Sequence, residues 1–435
     1  MITINTVTVV GANGTMGRNI SAIFASFGNT MVYMVSRTKE KSLDAISKAY
    51  KTVRAESVKN NMIPADYNML EECINKSDLI FECTAENLDV KAEIIKKIDS
   101  CMNGRTICCT GTSGLSINTL SENFSDNNKR SFMGVHMFNP PYNMTLCEMI
   151  QGKYTDKKVF CELKEYMIKV LGRTVVEVKD YPAFLGNRIG FNFINEALIN
   201  AEKYKYSGGI DYIDAILGPF TGRAMAPLVT ANYVGLDVHK AIVDNLYINT
   251  DDYSHNSFKL PGYVEELVQD GKLGRKSNGG LYRNIIHDSG MKIHQVYDIE
   301  SKNYRDIVKY SFPFVESMIK SLRIGDYDRA FYTLINNRSV EAELCMEFIL
   351  KYILYSLKTT ALVGYDIHAA DDVMATGFNW CPPLAMIDAL FGVENFKSLV
   401  KERINNNILE NIDLELLLSN FEQSRYDFRK FIKAK

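Results

Sequence analysis

"GVHMFNPPYNMTLCEMI", residues 134 to 150, sets a histidine and a glutamate in two short apolar runs joined by an Asn-Pro-Pro turn. His136 and Glu148 are twelve positions apart (148 − 136 = 12), and the chain has only six histidines. Two strands joined by such a turn would set these side chains next to each other. A carboxylate behind an imidazole fixes which ring nitrogen carries the proton and stabilises the imidazolium. An imidazole held that way suits the removal of a proton from a secondary alcohol near neutral pH while hydride leaves for a nicotinamide. The same two residues would also suit a hydrogen-bonded core histidine, and residue types alone do not choose between the readings.

A second constellation lies at the start of the chain. "VTVVGANGTMGRNISAIFASFGN" opens with the β-branched run Val7 to Val10, followed by Gly11, Gly14 and Gly17. Met16, Ile20, Ile23, Phe24 and Phe27 then recur at helical spacing, and Gly28-Asn29 is a helix stop. "MVYMVS", residues 31 to 36, reads as a second strand. Strand, glycine turn, helix and strand form the unit that holds a dinucleotide, with the helix N-terminus at the phosphates. A glycine turn in some other α/β protein is the alternative. An NAD site usually has an acid at the end of the second strand. Here that place holds Ser36 and Arg37, followed by Thr38 and Lys39. A serine beside an arginine can hold a 2′-phosphate, so the reading leans to NADP(H) within an NAD(P) site. Otherwise Arg37 and Lys39 are solvated loop charges.

Residues 41–75 carry mostly helical patterns. A strand then runs from Asp78 to Cys83, followed by a loop with Glu86 and a helix, and a later strand ends in the polar turn Thr110 to Ser116. Ligands of open α/β sheets sit beyond the carboxyl ends of the strands, where Glu86 and Ser113 fall. Capping and turn formation are the ordinary roles of such residues, and Ser116 and Asn118 read that way.

These segments together resemble the L-3-hydroxyacyl-CoA dehydrogenase family. "GVHMFNPPYNMTLCEMI" is similar to its G-x-H-F-F-N-P…M-x-L-V-E pattern. "GTMG" at 14–17, "AENLDVKAEI" at 85–94, "TSGLSI" at 112–117, "DYPAFLGNRIGFNFINEAL" at 180–198, "ANYVGLD" and "GKLGRKSNGGLYR" resemble further family segments in the same order. The resemblance implies that His136 is the acid/base and Glu148 its orienting carboxylate. It implies that Ser113 and Asn187 bind the reacting oxygen or thioester carbonyl. It places Gly11, Gly14, Thr15, Met16, Gly17, Glu86 and Lys91 at the cofactor, with Asn139 holding the histidine loop near the nicotinamide. Departures are the displaced first glycine, the missing ribose acid, Gly111 where the family has asparagine, and "AMAPL" at 224–228 for P-M-G-P-F.

The rest of the chain must position these groups. Its 435 residues, 46% hydrophobic and 23% charged with net charge −2, describe an ordinary globular protein with no bias toward nucleic acid or membrane. No apolar run reaches the ~18 residues of a membrane span. The N-terminus enters a strand without a leader, and nine cysteines lack metal-like spacing, so reduced thiols in a cytoplasm and no metal are expected. From about residue 181 the pattern is helical. A later stretch echoes it: Phe378 answers Phe220, Pro382-Pro383-Leu384 answers Ala226-Pro227-Leu228, and Phe391-Gly392-Val393-Glu394 answers Val234-Gly235-Leu236-Asp237. The expected fold class is therefore an α/β Rossmann-type N-terminal domain (1–180) followed by two all-α C-terminal domains (181–286 and 336–435), which resemble those of 6-phosphogluconate dehydrogenase. Residues 287–335 are read as a connecting segment. Because the resemblance implies dimers formed through a single helical domain, a second copy suggests a pseudo-dimeric monomer, with a homodimer as the alternative. Sole Trp380 is read as core. The implied reaction interconverts (S)-3-hydroxyacyl-CoA and 3-ketoacyl-CoA. A dehydrogenase of free hydroxy acids and a non-catalytic cofactor-binding protein remain as alternatives.

Overall fold

In the computed structural model, residues 2–286 and 292–434 are described, so the start of the expected connecting segment, 287–291, lies outside the described residues. Contacts divide the chain into two units, Met1–Phe184 and Leu185–Lys435.

Among the described residues of the first unit, eight strands form one sheet: β1 (Thr6–Val10), β2 (Met31–Ser36), β3 (Met62–Asp66), β4 (Leu79–Glu82), β5 (Ile107–Thr110), β6 (Phe132–Met137), β7 (Leu146–Ile150) and β8 (Thr174–Val178). Their order is β3-β2-β1-β4-β5-β6-β7-β8. The first six run parallel, as connections through helices require. Helix α1 (Thr15–Ser26) is the first crossover, and α2 (Leu88–Cys101) links β4 to β5. Residues 138–145 are too few for a crossover, so β7 returns antiparallel to β6, and β8 runs parallel to β7. The β-branched run at the start of the chain lies at the centre of the sheet, with Val7, Val9 and Val10 buried. The helical pattern read across 41–75 is interrupted by β3. Its sequence, MIPAD, contains Pro64, which a strand tolerates at the sheet edge, and β3 is the edge strand.

In the second unit, α3 (Gly186–Lys203), α4 (Ile210–Ile216), α5 (Pro227–Val234) and α6 (Leu236–Asn249) come first. An antiparallel sheet of β9 (Tyr282–Ile286), β10 (Lys292–Asp298) and β11 (Asn303–Asp306) follows, so the segment after residue 291 is structured. Two amphipathic helices, Pro313–Arg323 and Tyr327–Asn336, lead into α7 (Val340–Val363), α8 (Ala369–Val373), α9 (Pro383–Ala389) and α10 (Val393–Arg403).

The internal echo has a physical counterpart. Both α5 and α9 begin with proline, whose missing N–H costs nothing at a helix start. In each, a buried aspartate from the preceding helix receives the first free amides. Asp214 accepts from Leu228 N at 2.8 Å and Val229 N at 3.0 Å, and Asp371 accepts from Leu384 N at 2.9 Å. Tyr282 and Ser424 donate their hydroxyls to the same two carboxyls. The repeats pack through α3 and α7. Phe193 meets Phe348 and Trp380 edge-on, and the Phe378 ring lies so close to Gly190 that a Cβ there would come within 2.4 Å of it. Between the repeats the buried Arg223 guanidinium sits 3.7 Å over the Phe193 ring and 5.0 Å from those of Tyr352 and Trp380. Aromatic faces can return about 2 kcal/mol to a desolvated cation.

Burial pushes the Asp214 carboxyl up to about 7, although its three donors pull the other way. The folded state therefore binds a proton that the unfolded chain has released above about pH 4. Stability from this group is full below that pH and falls as pH rises to about 7. Urea unfolding of the wild type should lose about 2–4 kcal/mol more than Asp214→Asn between pH 4 and pH 7. Parallel curves would mean that the carboxyl is already ionised in the fold.

Candidate active site

The carboxyl ends of five strands, β1, β2, β4, β5 and β6, carry the predicted residues of the first unit. At the end of β1, Gly11 has φ +81°, and a Cβ on it would lie 2.7 Å from the Cys83 carbonyl oxygen. Gly17 faces Gly11 so closely that its Cβ would meet the Gly11 oxygen at 2.5 Å. Both positions need glycine for steric reasons. Gly14 is the N-cap of α1 and has no side chain to satisfy the first-turn amides, which begin at Thr15 and Met16. An anion is the natural partner for that helix end.

At the end of β2, Ser36 is buried and its hydroxyl has no hydrogen-bond partner, while Arg37 is exposed. An orphaned hydroxyl beside the glycine cradle fits a ribose or its phosphate. Sequence reading found no carboxylate here, but Asp66, at the end of neighbouring β3, pairs in register with Ser36 and accepts from Asn68 N at 2.9 Å. Its signal lay outside the expected element, because β3 was hidden in a helical pattern.

The ends of β4 and β5 carry a charge network. Lys91, on α2, is buried and donates to both oxygens of Glu82, at 3.1 and 2.9 Å, and to the Thr84 carbonyl at 3.3 Å. Glu82 also accepts from Thr84 N and from the Thr110 hydroxyl, both at 2.6 Å. Burial alone would raise the Glu82 pKa, but Lys91 and the Thr110 and Thr84 hydroxyls outweigh it and hold the carboxyl below its ordinary value. Glu86 Oε2 lies 3.7 Å from the Lys91 ammonium. Its other oxygen accepts from the Thr112 hydroxyl at 2.6 Å and from Ser113 N at 2.7 Å. Glu86, Lys91 and Ser113 are thus one connected group. Glu82 was not singled out from the sequence, although a carboxylate inside the apolar "LIFEC" is the same kind of anomaly as His136.

The β6–β7 hairpin pairs His136 with Glu148 in register, and His136 Nδ1 lies 2.8 Å from Glu148 Oε2 with both residues buried. The Phe138 and Phe184 rings flank the imidazole, with centroids at 4.6 and 5.8 Å. Asn139 accepts a bond from Asn19 of α1 at 3.1 Å, which ties the histidine loop to the helix of the glycine turn. Asp180 accepts from Ser116 Oγ, Ile117 N and Asn118 N at 2.8–2.9 Å and anchors the far side of the Ser113 turn. Asn187 is buried in the first turn of α3 in the second unit.

Gly17→Ala should weaken nicotinamide dinucleotide binding at least about tenfold, because the added methyl collides with backbone rather than with a movable side chain. Titration of nicotinamide fluorescence measures this, and unchanged affinity would separate the glycine turn from the cofactor.

Known proteins share this architecture. Residues 6–181 match the family described as 3-hydroxyacyl-CoA dehydrogenase, NAD binding domain, and residues 184–284 match 3-hydroxyacyl-CoA dehydrogenase, C-terminal domain. A probable 3-hydroxyacyl-CoA dehydrogenase of Bacillus subtilis is 28% identical across 87% of this chain, which spans only 50% of that protein. The human mitochondrial hydroxyacyl-coenzyme A dehydrogenase is 30% identical over 65% of this chain and 92% of its own length. The solved 3-hydroxybutyryl-CoA dehydrogenase of Escherichia coli covers 97% of this chain and 100% of its own at a TM-score of 0.68 and 21% identity, a likeness of fold.

Proposed function

The chain belongs to the 3-hydroxyacyl-CoA dehydrogenase family, and on that footing we propose that it interconverts (S)-3-hydroxyacyl-CoA and 3-ketoacyl-CoA with NAD(P). The observation that carries this reading is the buried His136–Glu148 pair at the carboxyl end of β6, on a sheet whose first glycine turn fits a dinucleotide. Bound there, a nicotinamide dinucleotide takes or gives the hydride. Glu148 occupies Nδ1 of His136, so Nε2 is the atom that removes the hydroxyl proton in oxidation or returns it in reduction. Glu148 also steadies the imidazolium as it forms. Ser113 serves as a donor to the oxygen on which charge builds, a role that the family resemblance gives to Asn187 as well. Glu86 and Asn139 hold the turns nearest the cofactor. The apolar walls given by Phe138 and Phe184 keep water from the proton-transfer path.

For the second nucleotide phosphate, Ser36 and Arg37 favour NADP, and Asp66 would serve the ribose hydroxyls of NAD. The thiols of the nine cysteines, free of disulfides, suit the cytoplasm. No described helix is long and apolar enough to cross a membrane. The protein requires no nucleic-acid or membrane partner for this reaction. In the helical unit the long helix of the 336–435 repeat packs against α3, which supports the reading of the chain as a pseudo-dimeric monomer.

Acetoacetyl-CoA reduction followed at the nicotinamide absorbance, with NADH and NADPH side by side, is the test. His136→Gln should lower kcat by about 10²- to 10⁴-fold. NADPH preferred, and lost in Arg37→Ala, assigns the 2′-phosphate to Arg37, whereas NADH preferred transfers the ribose to Asp66. Absence of turnover with either, together with turnover of a free hydroxy acid, would replace the substrate assignment. Sedimentation at micromolar concentration should give a species of one chain, and a stable dimer joined through α3 of two chains would refute the pseudo-dimer.

A further inference from the structure

We infer that Asp180 and Phe184 are positioning residues: the segment on which the chain leaves the first unit pins the turn that presents Ser113 and holds the His136 imidazole from outside its own hairpin. The inference rests on the dehydrogenase reading only for what Ser113 and His136 then do. Glu148 holds the imidazole at Nδ1, and a ring held at one atom can still swing about that bond. Phe138 does not prevent this, because its ring stands two residues from the histidine on the same chain and moves with it. Phe184 comes from outside the hairpin and is fully buried, with its ring centroid 5.8 Å from that of the imidazole. The backbone that presents it is strained. Ala183 has φ +55° and Phe184 φ +52°, a left-handed pair without glycine. A bulky residue enters that region only where its surroundings impose it, and such strain gathers at functional sites. Ala183 is buried too, and Phe184 N donates to the Tyr181 carbonyl at 3.0 Å, so the bend is closed on itself.

Asp180 fixes where this bend starts. Its carboxylate accepts from Ser116 Oγ at 2.8 Å and from Ile117 N and Asn118 N at 2.9 Å. These groups end the Ser113 turn and open the short helix Ile117–Ser121. That helix is seated on the hairpin of the histidine. A Cβ on Gly134 of β6 would come within 2.8 Å of Ile117 Cδ1, and Asn118 Oδ1 accepts from Lys153 N, just beyond β7, at 2.7 Å. The strands of His136 and Glu148, the Ser113 turn and the bend of Phe184 thus meet at one helix end, and Asp180 joins the bend to it. A base and a donor that act on one substrate must be aligned together, and a small displacement of either costs rate more than binding.

The test uses the full chain, with thermal unfolding as the check on folding. Asp180→Asn keeps the shape of the side chain but has one acceptor oxygen where aspartate has two. Phe184→Leu keeps an apolar side chain and removes the flat ring. The bonds of Asp180 go to Ser116, Ile117 and Asn118, yet its loss should reach the imidazole. In protein labelled with ¹⁵N at histidine, the His136 ring signal, assigned with His136→Gln, should shift or broaden in both variants. For acetoacetyl-CoA reduction kcat should fall about 10- to 100-fold, with KM and the nicotinamide dissociation constant each within about threefold. The double variant should cost little more than the worse single one, since both act along one segment. An unchanged His136 signal in Asp180→Asn overturns the inference. So does a rise in KM or in the dissociation constant with kcat unchanged, for the segment would then serve binding. Absence of wild-type turnover would defeat the dehydrogenase reading, and the imidazole signal would still decide whether Asp180 and Phe184 position the histidine.

Discussion

The antiparallel pairing of β6 with β7 is the constraint on which the rest of the site depends. In an antiparallel ladder, residues directly opposite point to the same face, so His136 and Glu148 meet only in the observed register. A shift of one residue would turn Glu148 to the other face, where it would be buried without its partner. The cost of a desolvated, unpaired carboxylate is several kcal/mol, which makes the pair itself an enforcer of register. The apolar neighbours agree, with Val135 opposite Met149 and Met137 opposite Cys147, all buried. The reversal of direction matters as well. Because β7 runs back along β6, a carboxylate twelve residues later in the chain returns to the histidine at the same end of the sheet that carries the glycine turn, Ser36 and Ser113.

Buried charge alone does not mark a reactive group, and this molecule holds its own controls. His239 is fully buried, and its Nε2 donates to Asn195 Oδ1 at 2.9 Å. Burial, with no carboxylate to offset it, pushes that imidazole down to about 3, so it stays neutral and packs. His136 differs by the carboxylate on its Nδ1. Asp214 and Asp371 cap helices, and Arg223 fills an aromatic cage, so these groups serve packing in the helical unit. The pairs His136–Glu148 and Glu82–Lys91 are set apart by place: His136 and Glu82 lie at the carboxyl ends of parallel strands, β6 and β4, where open α/β sheets bind ligands.

What could be read from the sequence follows from how locally each feature is encoded. The β1–α1–β2 unit was legible because β-branched runs, three glycines and a helical stripe all fall within thirty-six residues. The His–Glu pair was legible because a short hairpin converts sequence spacing into contact. β3 was not, since an edge strand with a proline carries little alternation. The sheet of β9 to β11 was not, because its half-buried strands show no clean period of two. The Glu82–Lys91 network was hidden for a different reason. Each residue is ordinary on its own element, and only the parallel stacking of β4 and β5 under α2 makes Lys91, Thr110 and Glu82 neighbours.

The two helical repeats show the same framework put to unlike ends. α3 buries Asn187, Arg188, Asn192 and Asn195, side chains that each need a partner. Arg188 pairs with Asp252 at 2.6 Å, Asn192 donates to Ser254 at 2.8 Å, and Asn195 donates to two carbonyls. α7 buries mainly apolar residues, among them Leu344, Met346, Phe348, Ile349, Leu350, Ile353 and Leu354, and its buried tyrosines donate outward, Tyr352 to the Cys381 carbonyl and Tyr355 to Asp252. A helix that buries so many polar groups is held in one orientation by directional bonds. The second repeat thus keeps the aspartate-capped proline helix that defines the framework, replaces the buried amides of α3 with a mainly apolar face, and meets the first repeat through that face and through Tyr355, which accepts from Arg188.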